Sequence, residues 1–134
     1  MKILHIISSL EEKYGGPSIL LPQLSLKLKE ENNEIEILTT SFSNQNKFIE
    51  KLYQKKGIKL RTFRVFSVYR LSIKLLFWLF SNLTSYDCVH VHSIYRFPTD
   101  FTILLSFFKK IPIVFSPHGS LDPYLFNKSQ YKFI

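Results

Sequence analysis

Apolar and polar positions alternate between two periods along this chain. Residues 2 to 7, KILHII, form a near-continuous apolar run, as in a strand buried on both faces of a parallel sheet. A glycine-punctuated loop, SSLEEKYGGP, follows at 8 to 17. Pro17 and Ser18 then open a helix in which Leu21, Leu24 and Leu28 recur at helical spacing. Pro22 must sit in its first turns or kink it. EIEILTT at 34 to 40 predicts the second strand, and Phe48 to Lys56 a helix stopped by Gly57. IKLRTF at 58 to 63 predicts a third strand, and YRLSIKLLFWLFSNL at 69 to 83 an apolar helix. DCVHVHS at 87 to 93 is the fourth strand. Pro98 to Lys109 is a helix with Phe101, Leu104, Leu105 and Phe108 on one stripe, and Ile113 to Ser116 is the fifth strand, with Ile113 to Phe115 expected to be buried.

Strand and helix alternate throughout, which predicts an α/β, Rossmann-like, doubly wound parallel sheet of about five strands. Right-handed crossovers leave 3-2-1-4-5 as the expected order, with the topological switch between strands 1 and 4. In such a sheet every strand ends at one edge. The loops there carry Gly15 and Gly16, then His92 and Ser93, then His118 and Gly119. Ligands of open α/β sheets bind at that edge.

The chemistry of each feature has two readings. Gly15 and Gly16 before a helix start suit an anion, because bare amides and the helix terminus both attract negative charge. A plain turn explains them equally well, and neither G-x-G-x-x-G nor a P-loop is present. His118 at the end of a strand is either a packing residue or a titratable group in a crevice. His90 and His92 share one strand face, because side chains alternate. His90 is expected to be a satisfied core histidine and His92 to reach the crevice, while His5 is structural. A zinc triad of His90, His92 and His118 is disfavoured, because no metal-ligand spacing such as H-E-x-x-H accompanies it.

Composition narrows the classes. The 134 residues suit one domain with a real core. One cysteine, Cys88, excludes an internal disulfide framework and fits a reducing cytoplasm. No signal peptide or spanning segment is evident. The formal charge of +8 is uneven: residues 1 to 50 hold five basic and seven acidic side chains, and residues 51 to 134 hold 13 and three. The basic half suggests an anionic partner. Arg61, Arg64, Arg70 and Lys74 flank the apolar run 75 to 80, so residues 61 to 80 are a candidate peripheral contact with an anionic membrane. The alternative is that Phe77 and Trp78 fill the core. Nucleic acid is not an expected partner, since no binding motif accompanies the charge.

Four segments together resemble the N-terminal domain of glycosyltransferase family 4, retaining nucleotide-sugar enzymes of GT-B architecture. They are MKILHIISS, GGPSILLPQLSLKLKEENNEIEILTT, DCVHVHSIYRFPT and KKIPIVFSPHGSLDPY. The resemblance spans nearly the whole chain, and SPHG followed by LDP is its most specific part. It implies that His118 is the catalytic histidine beside the donor sugar, and that Gly15 and Gly16 approach the donor diphosphate. It further implies that His92, Ser93, Gly119 and Asp122 face the acceptor. The donor would be a UDP- or GDP-sugar, with no metal and no other cofactor. The acceptor would be a glycan or lipid-linked sugar, as in polysaccharide biosynthesis at the inner face of the membrane. The family's second, donor-binding domain and its paired glutamates are not found in residues 1–134, so the reading is an acceptor-side domain, inactive alone. The alternative is a non-catalytic Rossmann-like anion- or nucleotide-binding module, or a subunit completed by a separate donor-binding chain.

Overall fold

The computed structural model describes residues 1–11, 16–43 and 47–119. Its elements are β1 (Lys2–Ile7), α1 (Gly16–Glu30), β2 (Glu34–Ser41), α2 (Lys47–Lys55), β3 (Lys59–Arg64), α3 (Ile73–Asn82), β4 (Cys88–His92), α4 (Phe97–Lys109) and β5 (Ile113–Ser116). The strands form one sheet in the order β3-β2-β1-β4-β5, with every neighbouring pair parallel. This is the order expected from right-handed crossovers.

Each face of the sheet has its own core. Leu4, Ile6, Leu38, Val89 and Val91 pack with Leu75, Leu79 and Leu83, and with Phe97 and Leu105 of α4. Ile7, Ile35, Ile37 and Leu60 pack with Leu21 of α1 and with Tyr53 and Ile58. The alternation along β1 and β4 thus sends Leu4, Ile6, Val89 and Val91 to one side, and His5, His90 and His92 to the other. Burial of each large aliphatic side chain stabilises the fold by roughly 1.5–3 kcal/mol.

Local chemistry sets the ends of the helices. Gly57 adopts φ 73°, and its N–H and that of Ile58 close the end of α2 on the carbonyls of Gln54 and Tyr53. α3 begins later than its apolar pattern predicts, because Arg70 takes φ 62° and the Ser72 hydroxyl caps the Leu75 N–H at 3.2 Å. Pro22 lies in the second turn of α1. One polar knot sits within the α3 side: Glu36, buried, accepts from the Tyr86 hydroxyl at 2.6 Å and pairs with the Arg61 guanidinium, which lies over Trp78.

Three packing expectations are corrected. On α4 the buried row is Thr99, Thr102, Leu105 and Ser106, whereas Leu104 and Phe108 are exposed. Small polar residues let that helix approach the sheet closely, which turns the aromatic positions outward. β5 is not buried on both faces: as an edge strand it leaves Val114 48% and Phe115 38% exposed among the described residues. Arg70, grouped by sequence with the surface cations, is buried instead. Its Nη1 donates to the carbonyls of Ser8 and Thr40 and to the Thr40 hydroxyl, at 3.0 to 3.2 Å. No helix among the described residues is long and apolar enough to cross a membrane.

Candidate functional site

The carboxyl edge of the sheet gathers the features that the sequence singled out. β1, β4 and β5 are adjacent and parallel there, with Ile7 beside His92 and His92 beside Ser116. The strain of the backbone concentrates at the same edge. Arg70, Ser93, Tyr95 and His118 all take positive φ, at 62°, 66°, 71° and 49°. Such conformations cost of order 1–3 kcal/mol each for residues with a Cβ, and they persist where surrounding structure fixes them. Asn32 and Lys110, the other described non-glycine residues with positive φ, follow helices at the opposite edge. Gly119 continues the turn at φ 79°.

Four imidazoles fill the α1 side of this region. His5 is 0% exposed and His92 is 1% exposed. Nδ1 of His5 lies 3.1 Å from Nε2 of His92, and Nδ1 of His92 lies 2.9 Å from Nε2 of His118. The His92 and His118 rings are nearly parallel, at 15° and 5.2 Å between centroids. His90 stacks on His92 at 4.1 Å, and its Nε2 lies 2.7 Å from the Ser116 hydroxyl oxygen. Register explains the grouping: His5 and His90 are direct partners across the β1–β4 ladder, and His92 is two residues further on the same face.

Desolvation disfavours the charged form of each ring. It holds His5 down to about 3, with a smaller contribution from His90. It holds His92 down to about 2, helped by His90, His5 and His118. His90 is lowered by burial and then by His118, and His118 is lowered by burial alone. His5, His90 and His92 also place ring nitrogens within 4.8 Å of one another, close enough to be considered for a metal ion. Both His92 nitrogens are already engaged by other rings, and stacked planes do not aim their lone pairs at one point.

The sequence reading of the two β4 histidines is therefore reversed. His92 is the buried ring and reaches His118 through the interior; His90 is the half-buried one, held by Ser116. Strand alternation gives the face a side chain takes but not its depth. Depth depends on which helix covers which strand, and here α1 and α2 cover β1 to β3 but not β5. Ser93 is half-buried, and its N–H donates to the Ser116 carbonyl at 2.9 Å, extending the β4–β5 ladder. Gly16 opens α1, is exposed, and a Cβ there would meet nothing within 4 Å. The first turn of α1 carries no acidic residue. Gly15 and Asp122 lie outside the described residues. Arg70, which ties the ends of β1 and β2 beneath this edge, was not recognised from sequence; its place after an exposed turn gave no signal of burial.

The parallel sheet thus carries a histidine just after its fifth strand and a glycine-led helix after its first. The family model for Glycosyltransferase Family 4 matches residues 14–133. The chain belongs to that family, with the fold expected of its N-terminal GT-B domain. Among solved structures, the crystal structure of Anabaena Alr3699/HepE in complex with UDP is similar, with a TM-score of 0.51 and 18% identity. The likeness covers 86% of this chain and 29% of that one, and it is a likeness of fold. No curated protein matches the sequence.

Proposed function

We propose that this domain supplies the acceptor-side edge of a retaining glycosyltransferase that moves a hexose from a UDP- or GDP-sugar to a glycan or lipid-linked acceptor, in polysaccharide assembly. The single observation that carries the reading is the placement of His118. It stands exposed at the carboxyl edge, on a left-handed turn, fixed from below by the buried His92. That is where the family resemblance expects the histidine beside the donor sugar.

The chemistry follows from charge. A departing nucleoside diphosphate gains negative charge as the glycosidic bond breaks. Amides at the start of α1, with no acid in the first turn to oppose them, favour that charge. Groups aimed in advance at developing charge lower the barrier without reorganising. His118, whose partial desolvation disfavours its charged form, orients the sugar through a hydrogen bond. The UDP in the HepE crystal structure agrees with a nucleotide-sugar donor, and the donor's nucleotide would be held by a second domain or a separate chain. His92, Ser93, Gly119 and Asp122 are assigned to the acceptor side, with His92 acting from beneath through His118.

Ile73 and Phe77 of α3 are 71% and 65% exposed, and Phe66 and Val68 of the preceding loop are exposed beside Arg64 and Lys74. An apolar face rimmed by cations favours a peripheral contact with an anionic lipid surface, where a lipid-linked acceptor would be presented.

The test is donor hydrolysis and sugar transfer by this chain co-expressed with a donor-binding domain of the family. His118→Ala should lower turnover by about 100-fold or more while the fold is retained. Unchanged turnover in that variant would remove His118 from the reaction.

A further inference from the structure

The four histidines contain more order than a reactive ring beside a sugar requires. Each ring–ring gap, His5 to His92 and His92 to His118, holds one hydrogen bond and so one proton. A neutral imidazole owns one N–H. If His92 donates from Nδ1 to His118, its Nε2 must accept from His5; if it donates from Nε2 to His5, its Nδ1 must accept from His118. Only two arrangements of the whole series exist, one with every ring protonated on Nε2 and one with every ring protonated on Nδ1.

The two differ at their ends. At the inner end, Nε2 of His5 is buried and has no hydrogen-bond partner among the described residues. In the first arrangement that nitrogen carries an orphaned N–H. In the second it carries an orphaned lone pair. Buried donors without a partner are the rarer and costlier of the two. At the outer end, His118 is exposed, and its Nδ1 has no partner among the described residues. Either state is satisfied there by water or substrate. The inner end therefore decides the sense.

We propose that His5 and His92 are positioning residues that lock the tautomer of His118, fixing its proton on Nδ1 so that it presents a neutral N–H donor to an oxygen of the substrate. The ligand class is an oxygen acceptor, a sugar hydroxyl or a phosphate oxygen, and the role of general base is closed to that nitrogen. The proposal rests on the reading of His118 given above, and its test does not depend on sugar transfer.

The chain labelled with ¹⁵N is measured by two-bond ¹H–¹⁵N correlation of its imidazoles, in mildly alkaline buffer. All three rings should show a protonated Nδ1. For His118 the excess over the Nε2-protonated form should be at least about tenfold, the ratio set by ~1.4 kcal/mol at the buried end. In His92→Phe the excess at His118 should fall by about tenfold, since the ring loses its fixed partner. A protonated Nε2 on any of the three rings in the unaltered chain overturns the proposal, and that spectrum alone decides if the variant does not fold. An unchanged His118 in a folded His92→Phe chain overturns it as well. So does a joint shift of His5, His90 and His92 on adding zinc chloride, which would make the cluster a metal site. His118→Ala without effect on transfer would refute the sugar-transfer reading and leave the tautomer measurement standing.

Discussion

Acidification should unfold this protein through its interior. His5 and His92 are buried neutral, held down to about 3 and about 2 from an ordinary 6.5. In the unfolded chain both recover the ordinary value. Between these limits the unfolded state binds more protons than the folded state, so stability rises with pH and is lost as pH falls below about 6.5. Each ring contributes about 1.36 kcal/mol per pH unit once its unfolded form is fully charged. From about pH 7 to about pH 5 that amounts to about 2 kcal/mol per ring, or about 4 kcal/mol for the pair. His90 and His118 are lowered too and act with the same sign, so the pair sets a minimum. Against a usual domain stability of roughly 5–15 kcal/mol the loss is large. Urea unfolding followed by circular dichroism at a series of pH values reads it directly. The slope near pH 5 should correspond to an uptake of about two protons or more on unfolding. His5→Phe, if folded, should reduce it by about one. A slope below one proton, or stability that rises on acidification, would refute the neutral buried array.

Other parts of the fold give independent tests. Tyr86→Phe strands the buried Glu36 carboxylate with one donor fewer and should cost about 1.5–3 kcal/mol in chemical unfolding. Arg70→Met removes the donor shared by Ser8 and Thr40; it should cost about 2–3 kcal/mol, and proteolysis should report a loosened β1 end. Gly57→Ala should cost about 1 kcal/mol by thermal unfolding, because φ 73° is strained for alanine; the Lys29 ammonium that its Cβ would meet can swing away. Phe77→Glu should abolish salt-sensitive cosedimentation with anionic vesicles without changing the fold, and equal binding of both chains would remove α3 from any membrane contact.

The fold was legible because its signals are local and mutually consistent. Apolar runs of strand length alternate with helical spacing, Gly57 ends a helix with left-handed backbone, and crossover handedness limits the order of the strands. Convergence of the loops after β1, β4 and β5 follows from that order. What lay outside reach was depth. Two histidines spaced two apart share a face, yet only the packed sheet makes His92 the buried link and His90 the lateral one. Arg70 looked like a surface cation because its burial comes from carbonyls 62 and 30 residues away in sequence. The aromatic stripe on α4 followed period alone, whereas small side chains determine which face of that helix can approach the sheet.

The central claim is that a nucleotide-sugar meets this domain at the carboxyl edge of its sheet. Titration of the ¹⁵N-labelled chain, co-expressed with a donor-binding domain of the family, with a UDP- or GDP-sugar, followed by backbone amide shifts, addresses it most directly. The account predicts perturbations concentrated at Gly16 and Ser18, Ser93 to Arg96, and His118 and Gly119. Shifts confined to the opposite edge, at Asn32, Asn33, Lys110 and Ile111, would contradict it.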